Sequence, residues 1–174
     1  MSKHPFILKL GSFLPQSAGY KRDFPFEQAE IPLTDDLTLH QLEGIVTATR
    51  TQQGLLLQGK FSGFIQLQCV RCLEIYNQPL HWELVELYVF NRRDALKDDL
   101  ILPDNAQIDI SEFIREDALL DIPINPICKA DCQGLCQICG ENLNHGDCGH
   151  QDIQMEGENS PESTSPFAGL KDLL

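Results

Sequence analysis

The chain has 174 residues, a hydrophobic fraction of 42% and a net charge of −13 at neutral pH. That length suits one domain with a small appendage, and the apolar fraction is enough for a core. So acidic a balance disfavours a surface built to hold a phosphate backbone and favours basic proteins as partners, although acidity also serves plain solubility.

The charge is unevenly spread. Residues 1–93 carry nine Lys and Arg against nine Asp and Glu, whereas residues 94–174 carry four against seventeen. The whole excess therefore sits in the second part. At the amino end, Phe6-Ile7-Leu8 is the only unbroken apolar run before Lys9, too short for the core of a secretion signal. No segment approaches the length of a membrane span. The expected setting is the reducing cytoplasm.

Phe6–Leu10 predicts one short strand, followed by an irregular Gly- and Pro-containing crossing and a second, edge strand within residues 5–33. From Leu42 to Arg50 the chain is β-branched and alternating, and Thr51-Gln52-Gln53-Gly54 reads as a turn. Leu55 to Val70 alternates again, with Leu57, Gly59, Phe61, Gly63, Ile65, Leu67 and Cys69 on one face. Gly59 and Gly63 interrupt that strand, so bulges or sharp coiling are expected there. Leu73–Phe90 reads as a third long strand, in which Trp82, Leu84, Glu86 and Tyr88 alternate with Glu83, Val85, Leu87 and Val89. Three long strands joined by short turns predict a curved antiparallel meander.

Residues 94–127 read as an acidic connection and a helix that packs on the sheet. Gln107–Ile110 can form a short strand, and Asp109 or Ser111 can cap the helix that follows. Glu112, Glu116 and Asp117 suit its positive end, and Phe113, Ile114, Ala118, Leu119 and Leu120 give it an apolar stripe. Pro123 and Pro126 then impose an extended approach to Cys128. Residues 151–166 are polar enough to read as a disordered linker. Residues 167–174 regain helical spacing at Phe167, Leu170, Leu173 and Leu174 and form a short tail that can dock on its own domain or on a partner.

The segment 128–150 carries the chemistry. Five of the seven cysteines fall in these 23 residues, and His150 closes the series. Dense thiolates serve disulfides, redox exchange or a soft metal. A reduced compartment and an odd cysteine count argue against disulfides. Tetrahedral zinc takes four Cys or His ligands, and a two-residue gap lets both sulfurs of a tight turn reach one ion. Cys136-x2-Cys139-Gly140 has that form, and Cys148-x-His150 can close the tetrahedron. Cys69-x2-Cys72 is a second pair of this kind, or else a hairpin turn with ordinary buried thiols. With Cys128 and Cys132 it completes a count of eight donors, enough for two structural zinc ions: Cys136, Cys139, Cys148 and His150 in one, Cys69, Cys72, Cys128 and Cys132 in the other. A single site with Cys132 in place of His150 is an alternative arrangement.

Cys69-Val70-Arg71-Cys72-Leu73 after a curved strand, the acidic helix, Ile122-Pro123, and then Cys128-x3-Cys132-x-Gly134-Leu135-Cys136-x2-Cys139-Gly140-x-Asn142-Leu143-Asn144-x3-Cys148 resemble the YceD family. Its members are called large ribosomal RNA subunit accumulation proteins. The resemblance runs from about Leu42 to His150, and the closing Leu170-Lys171-Asp172-Leu173-Leu174 also resembles the family's tail. The family's cluster often closes with Cys-x-Cys, where this chain has Cys148-Gly149-His150.

The resemblance implies a role in accumulation of large-subunit ribosomal RNA and hence in assembly of the large ribosomal subunit. The residues themselves offer no catalytic constellation: there is no phosphate-binding glycine loop, and the histidines at 4, 40, 81 and 145 have no evident nucleophile or carboxylate partner in sequence. The combined expectation is a non-catalytic α+β protein. It has a curved antiparallel sheet, either open or barrel-like, one main amphipathic helix and a Cys-rich zinc-binding loop cluster. Its partner is a basic ribosomal protein or a large-subunit rRNA precursor, with no membrane and no small-molecule substrate involved. Direct RNA contact would need basic residues gathered by folding, from Lys21, Arg22, Lys60, Arg71, Arg92 and Arg93, of which Arg71, Arg92 and Arg93 are the candidates. The alternative is a thiol/disulfide redox protein using Cys136 and Cys139.

Overall fold

The computed structural model describes residues 6–91 and 100–150. Among the described residues nine elements follow in chain order: β1 (Ile7–Lys9), a 3-10 turn (Gly11–Phe13), β2 (Lys21–Pro32), β3 (Thr38–Arg50), β4 (Gly54–Gln68), β5 (Ile75–Val89), β6 (Leu100–Ile101), β7 (Gln107–Asp109) and α1 (Ser111–Leu120). Strands β2 to β6 form one sheet in sequential order, antiparallel except for the short parallel pair β5–β6. β1 and β7 make a separate antiparallel pair.

Period-two burial builds the sheet. On β4, Leu55, Leu57, Phe61 and Ile65 are buried, and on β5 Leu80, Trp82, Leu84 and Tyr88 are. Their neighbours Val85 and Leu87 face outward. Each fully buried Leu or Phe contributes about 1.5–3 kcal/mol over an exposed one, so the alternation itself fixes the register. β1, the 3-10 turn, β7 and α1 cover the inner face, adding Leu8, Leu10, Phe13, Ile108, Ile110 and Ile114 to the same core.

The sheet does not close into a barrel. β2 lies at one edge and the two-residue β6 at the other, and they do not pair with each other. A two-residue strand offers too short a ladder to turn the sheet back on itself, so the inner face is covered by separate small elements instead.

A bulge does occur at the level of Gly63, with the extra residue on the opposite strand β3, because His40 pairs with Phe64 and Glu43 with Ser62; none occurs at Gly59, which pairs with Val46 in register. β4 pairs with β5 without interruption from Gly54 to Gln68. The irregularity lies on β3 between His40 and Glu43, where Gln41 takes φ 50°. Gly59 serves packing, because a Cβ there would sit 2.7 Å from Phe61 Cε2. One at Gly44 would fall on the same ring. Phe26, Gly44, Phe61 and Trp82 lie in register across four strands, and the Phe61 ring spreads over the glycine to stack on Trp82 at 5.7 Å.

α1 packs on β5 through buried Ile114 and Ala118 with Phe113 partly covered. Neither Asp109 nor Ser111 is its N-cap, which is Ile110 without a side-chain cap; Asp109, just before it, accepts the Ser111 amide at 2.9 Å in a local turn. The helix is shorter on its apolar side than the stripe predicts: Leu120 is 83% exposed, although the next residue, Asp121, still reaches β5 and accepts the His81 amide at 2.8 Å. Only Glu112 occupies the first turn; Glu116 and Asp117 fall past the midpoint. The linker 151–166 and the tail 167–174 lie outside the described residues.

Candidate metal centres

The turn between β4 and β5 presents the first two thiols. The Cys69 amide donates to the Glu74 carbonyl at 2.8 Å and the Leu73 amide to the Cys69 carbonyl at 3.0 Å, folding Cys69–Glu74 into a knuckle in which Leu73 takes φ 61°. The chain after α1 returns to this knuckle: the Val70 amide donates to the Pro126 carbonyl at 2.9 Å. Cys128 and Cys132 then face Cys72 and Cys69, with sulfur–sulfur distances of 3.6 and 3.8 Å.

Those distances test the fit. A tetrahedron of sulfurs each about 2.3 Å from zinc has edges of about 3.8 Å, whereas a disulfide would need about 2.05 Å. Cys69, Cys72, Cys128 and Cys132 have all four sulfurs within 4.8 Å of one another, and so do the donor atoms of Cys136, Cys139, Cys148 and His150. In the second set Cys136 Sγ lies 3.9 Å from His150 Nδ1. Both donor sets can hold a metal ion. The geometry groups Cys132 with the hairpin knuckle and His150 with the downstream one.

The two sets differ in how they are built. The first, here the inner site, joins residues far apart in sequence and is buried except for the half-covered Cys128. The second, the outer site, is local, with Cys139 exposed. Its turn is closed by the Gly140 amide donating to the Cys136 carbonyl at 2.9 Å and the Cys136 amide donating to the Glu141 carbonyl at 2.8 Å.

Thiolate charge is shared unequally within each set. Burial pushes the Cys69 thiol up, but backbone amides of Cys128, Cys72 and Arg71 outweigh it and bring it to about 6. Amides of Cys139 and Ile138 bring Cys136 to about 6. Burial and the neighbouring sulfurs of Cys72, Cys132 and Cys69 push Cys128 up to about 12. The His150 amide favours the Cys148 thiolate, but Cys136 and burial prevail and raise it to about 11. The inner set thus places two lowered thiols, Cys69 and Cys132, against two raised ones, Cys128 and Cys72, and the outer set lowered Cys136 against raised Cys148, the raised thiols lying beside negative sulfur. A bound dication relieves that repulsion and releases their protons.

Several partners of the sulfurs were not evident from spacing. Asn144 donates from Nδ2 to Cys132 Sγ at 3.4 Å and holds that thiol down. Gly134, at φ 77°, accepts the Leu143 amide at 2.9 Å; a Cβ there would press on the Arg71 carbonyl. His145 Nε2 lies 2.6 Å from Glu74 Oε1, a hydrogen bond that lowers the carboxyl's pKa. Of these, Gly134 and the Asn142-Leu143-Asn144 block stood in the sequence motif, while Glu74 and His145 carried no signal. Arg71 is bound into the lobe, donating from Nη1 to the Cys132 carbonyl at 3.1 Å. Arg92 and Arg93 lie outside the described residues.

The sequence pattern described as "Large ribosomal RNA subunit accumulation protein YceD" matches residues 57–174, about two-thirds of the chain. The chain belongs to the YceD family. Within the match fall β4 from Leu57 onward, β5, α1 and both donor sets of this YceD-family chain. An uncharacterized protein of Mycobacterium tuberculosis is 28% identical over 110 residues, 60% of this chain and 52% of that one. The Arabidopsis thaliana protein named large ribosomal RNA subunit accumulation protein YCED homolog 1, chloroplastic, is 44% identical over 52 residues, 29% of this chain and 16% of its own. A Bacillus subtilis protein, YlbN, is 31% identical over 71 residues, 40% of this chain and 41% of that one. The YceD-family chain spans about half the length of the first of these relatives. No solved structure matches it. Among the described residues no helix is long and apolar enough to cross a membrane.

Proposed function

We propose that this chain is a non-catalytic, cytoplasmic factor in large ribosomal subunit assembly. It supports accumulation of large-subunit ribosomal RNA by holding a basic ribosomal protein or a pre-ribosomal particle. Two structural zinc ions keep its Cys-rich lobe in shape. The observation that carries the reading is the pair of four-donor sets at one end of an open sheet, in a chain of this family.

Charge supports the choice of partner. Residues 69–75 and 128–150 contain Arg71 and Lys129 against Glu74, Asp131, Glu141 and Asp147, a balance of −2. Seven thiolates and one imidazole around two dications add a further −3. Such a lobe attracts basic protein and repels bare phosphate, and its association weakens as salt rises.

Two measurements test this. Metal analysis of anaerobically purified protein should give about two zinc ions per chain. Tagged protein recovered from cells at low salt should bring ribosomal components that high salt releases. Recovery of none under gentle conditions refutes the assembly role.

The redox reading keeps one supporting observation, the exposed Cys139 beside a Cys136 held near 6 by backbone amides. Titration of thiols with and without a chelator separates the two. Thiols masked until the metal is stripped favour the structural lobe; a reactive thiol in the metal-loaded protein favours exchange.

A further inference from the structure

The inner and outer donor sets are joined by a strap. Residues 140–147 run between two ligands of the outer site, Cys139 and Cys148. The middle of that strap reaches back to the inner site. Asn144 Oδ1 accepts the Gln133 amide at 3.0 Å while its Nδ2 donates to Cys132 Sγ at 3.4 Å. The asparagine is held in turn by Asn142, whose Oδ1 accepts the Asn144 amide at 3.0 Å and Nδ2 at 2.8 Å. Next to it the Leu143 amide donates to the Gly134 carbonyl and His145 pairs with Glu74 on the hairpin knuckle.

We propose that Asn144 couples the two metal sites, so that filling the outer site raises the affinity of the inner one. The inference rests on the two-zinc reading above and deepens it. An ion at the outer site fixes both ends of the strap and removes most of the freedom that residues 140–147 would otherwise lose on docking. The strap then delivers one N–H donor to a thiolate whose own set is crowded with negative charge. A hydrogen bond to a ligating sulfur stabilises the thiolate form, and loss of such a supporting group commonly costs 10–100-fold in metal affinity. Linkage makes the effect reciprocal: an ion at the inner site tightens the outer one by the same factor. Asn144 is a positioning residue, since it touches the ligand sulfur and not the ion.

Cobalt(II) titration of the full-length protein under anaerobic conditions reads both sites, because four-sulfur and three-sulfur–one-nitrogen cobalt differ in their d–d bands. Wild type should take two equivalents. H150A should weaken the inner site about 10-fold or more, and N144A should weaken it about 10–100-fold with the outer spectrum retained. In the double variant the two losses should not multiply. Asn144→Asp keeps the oxygen that accepts the Gln133 amide but replaces the donor with a negative oxygen beside Cys132. It should weaken the inner site at least as much as N144A. In both Asn144 variants the inner sulfur-to-cobalt charge-transfer band should move to lower energy as the sulfur loses its donor, a shift that a loosened fold alone does not produce. An inner affinity in N144D within about twofold of wild type, or losses that multiply in the double variant, overturns the coupling. Fewer than two equivalents in wild type instead overturns the two-site reading itself, and that count is settled before any variant is compared.

Discussion

The inner site is a clip across a long loop, and its worth can be put in numbers. Cys72 and Cys128 are 56 positions apart, and the enclosed chain contains β5, β6, β7 and α1. Tying a loop of that length reduces the entropy of the unfolded chain by about 4 kcal/mol at 25 °C, in the treatment used for covalent cross-links. Cys136 and His150 are 14 positions apart, and the same treatment gives about 3 kcal/mol. The sums are close but the consequences are not. The outer clip encloses only its own lobe, so opening it reaches the sheet only indirectly, through the inner site. Opening the inner clip frees β5 and α1, which supply Trp82, Leu84, Ile114 and Ala118 to the core. Cys69→Ala/Cys72→Ala should therefore lower the urea midpoint of the sheet by roughly 2 M, taking a slope of about 2 kcal/mol per M. Wild type with excess chelator should fall to the same midpoint. Cys139→Ala/Cys148→Ala should lower the sheet's midpoint only through the coupled inner site, by roughly 0.7 M for a tenfold loss of inner affinity (about 1.4 kcal/mol). Residual metal binding to the unfolded thiols shrinks the first difference without abolishing it. Equal midpoints for wild type and Cys69→Ala/Cys72→Ala would show that the inner site is not a clip on the sheet.

Two further outcomes follow from the core and from the helix contact. Gly59→Ala should destabilise by about 1–3 kcal/mol, since the new methyl meets the Phe61 ring at 2.7 Å. In a Phe61→Ala background that clash is gone, and denaturant unfolding of the four proteins should show the two changes to be non-additive. Additive losses would mean that the glycine is there for another reason. Glu86 sits above its usual range through burial and then the nearby Asp117, and Asp117 is raised by burial and then Glu116. A carboxyl with a raised folded pKa weakens the fold while ionised, and the penalty disappears as pH falls from its folded towards its unfolded value. Glu86→Gln should therefore raise the melting temperature at pH 7 and flatten its dependence between neutral pH and about 4. A lower melting temperature at pH 7 would contradict the sign.

The meander was legible because β3, β4 and β5 alternate cleanly between core and solvent, and their turn residues, Thr51–Gly54, sit where hydrogen bonds close them. β2 was only half legible. As an edge strand it carries Pro25 and a run of exposed polar residues, so its pattern lacks the contrast that burial on one face imposes. Closure was not legible at all, since it depends on whether β2 and β6 meet, and a local pattern says nothing of edges. Gly59 misled for a related reason: glycine in a strand can mark a bend or make room for a ring, and only the cross-strand partner decides which. The eight donors were legible from their spacing. Their partition rests on the return of the chain after α1 to the hairpin knuckle, through Val70 and Pro126, which ligand spacing alone does not encode. Asn144 was visible only as a member of the Asn142-Leu143-Asn144 block, without a role.

Trp82 is the sole tryptophan of the chain, 6% exposed and stacked on Phe61 at the middle of the sheet. Its fluorescence is consequently a built-in optical gauge of one stratum of the molecule. Intensity and wavelength follow the aromatic row, while cobalt absorbance follows the sulfurs. The two colours let lobe and sheet be watched melting separately in a single cuvette.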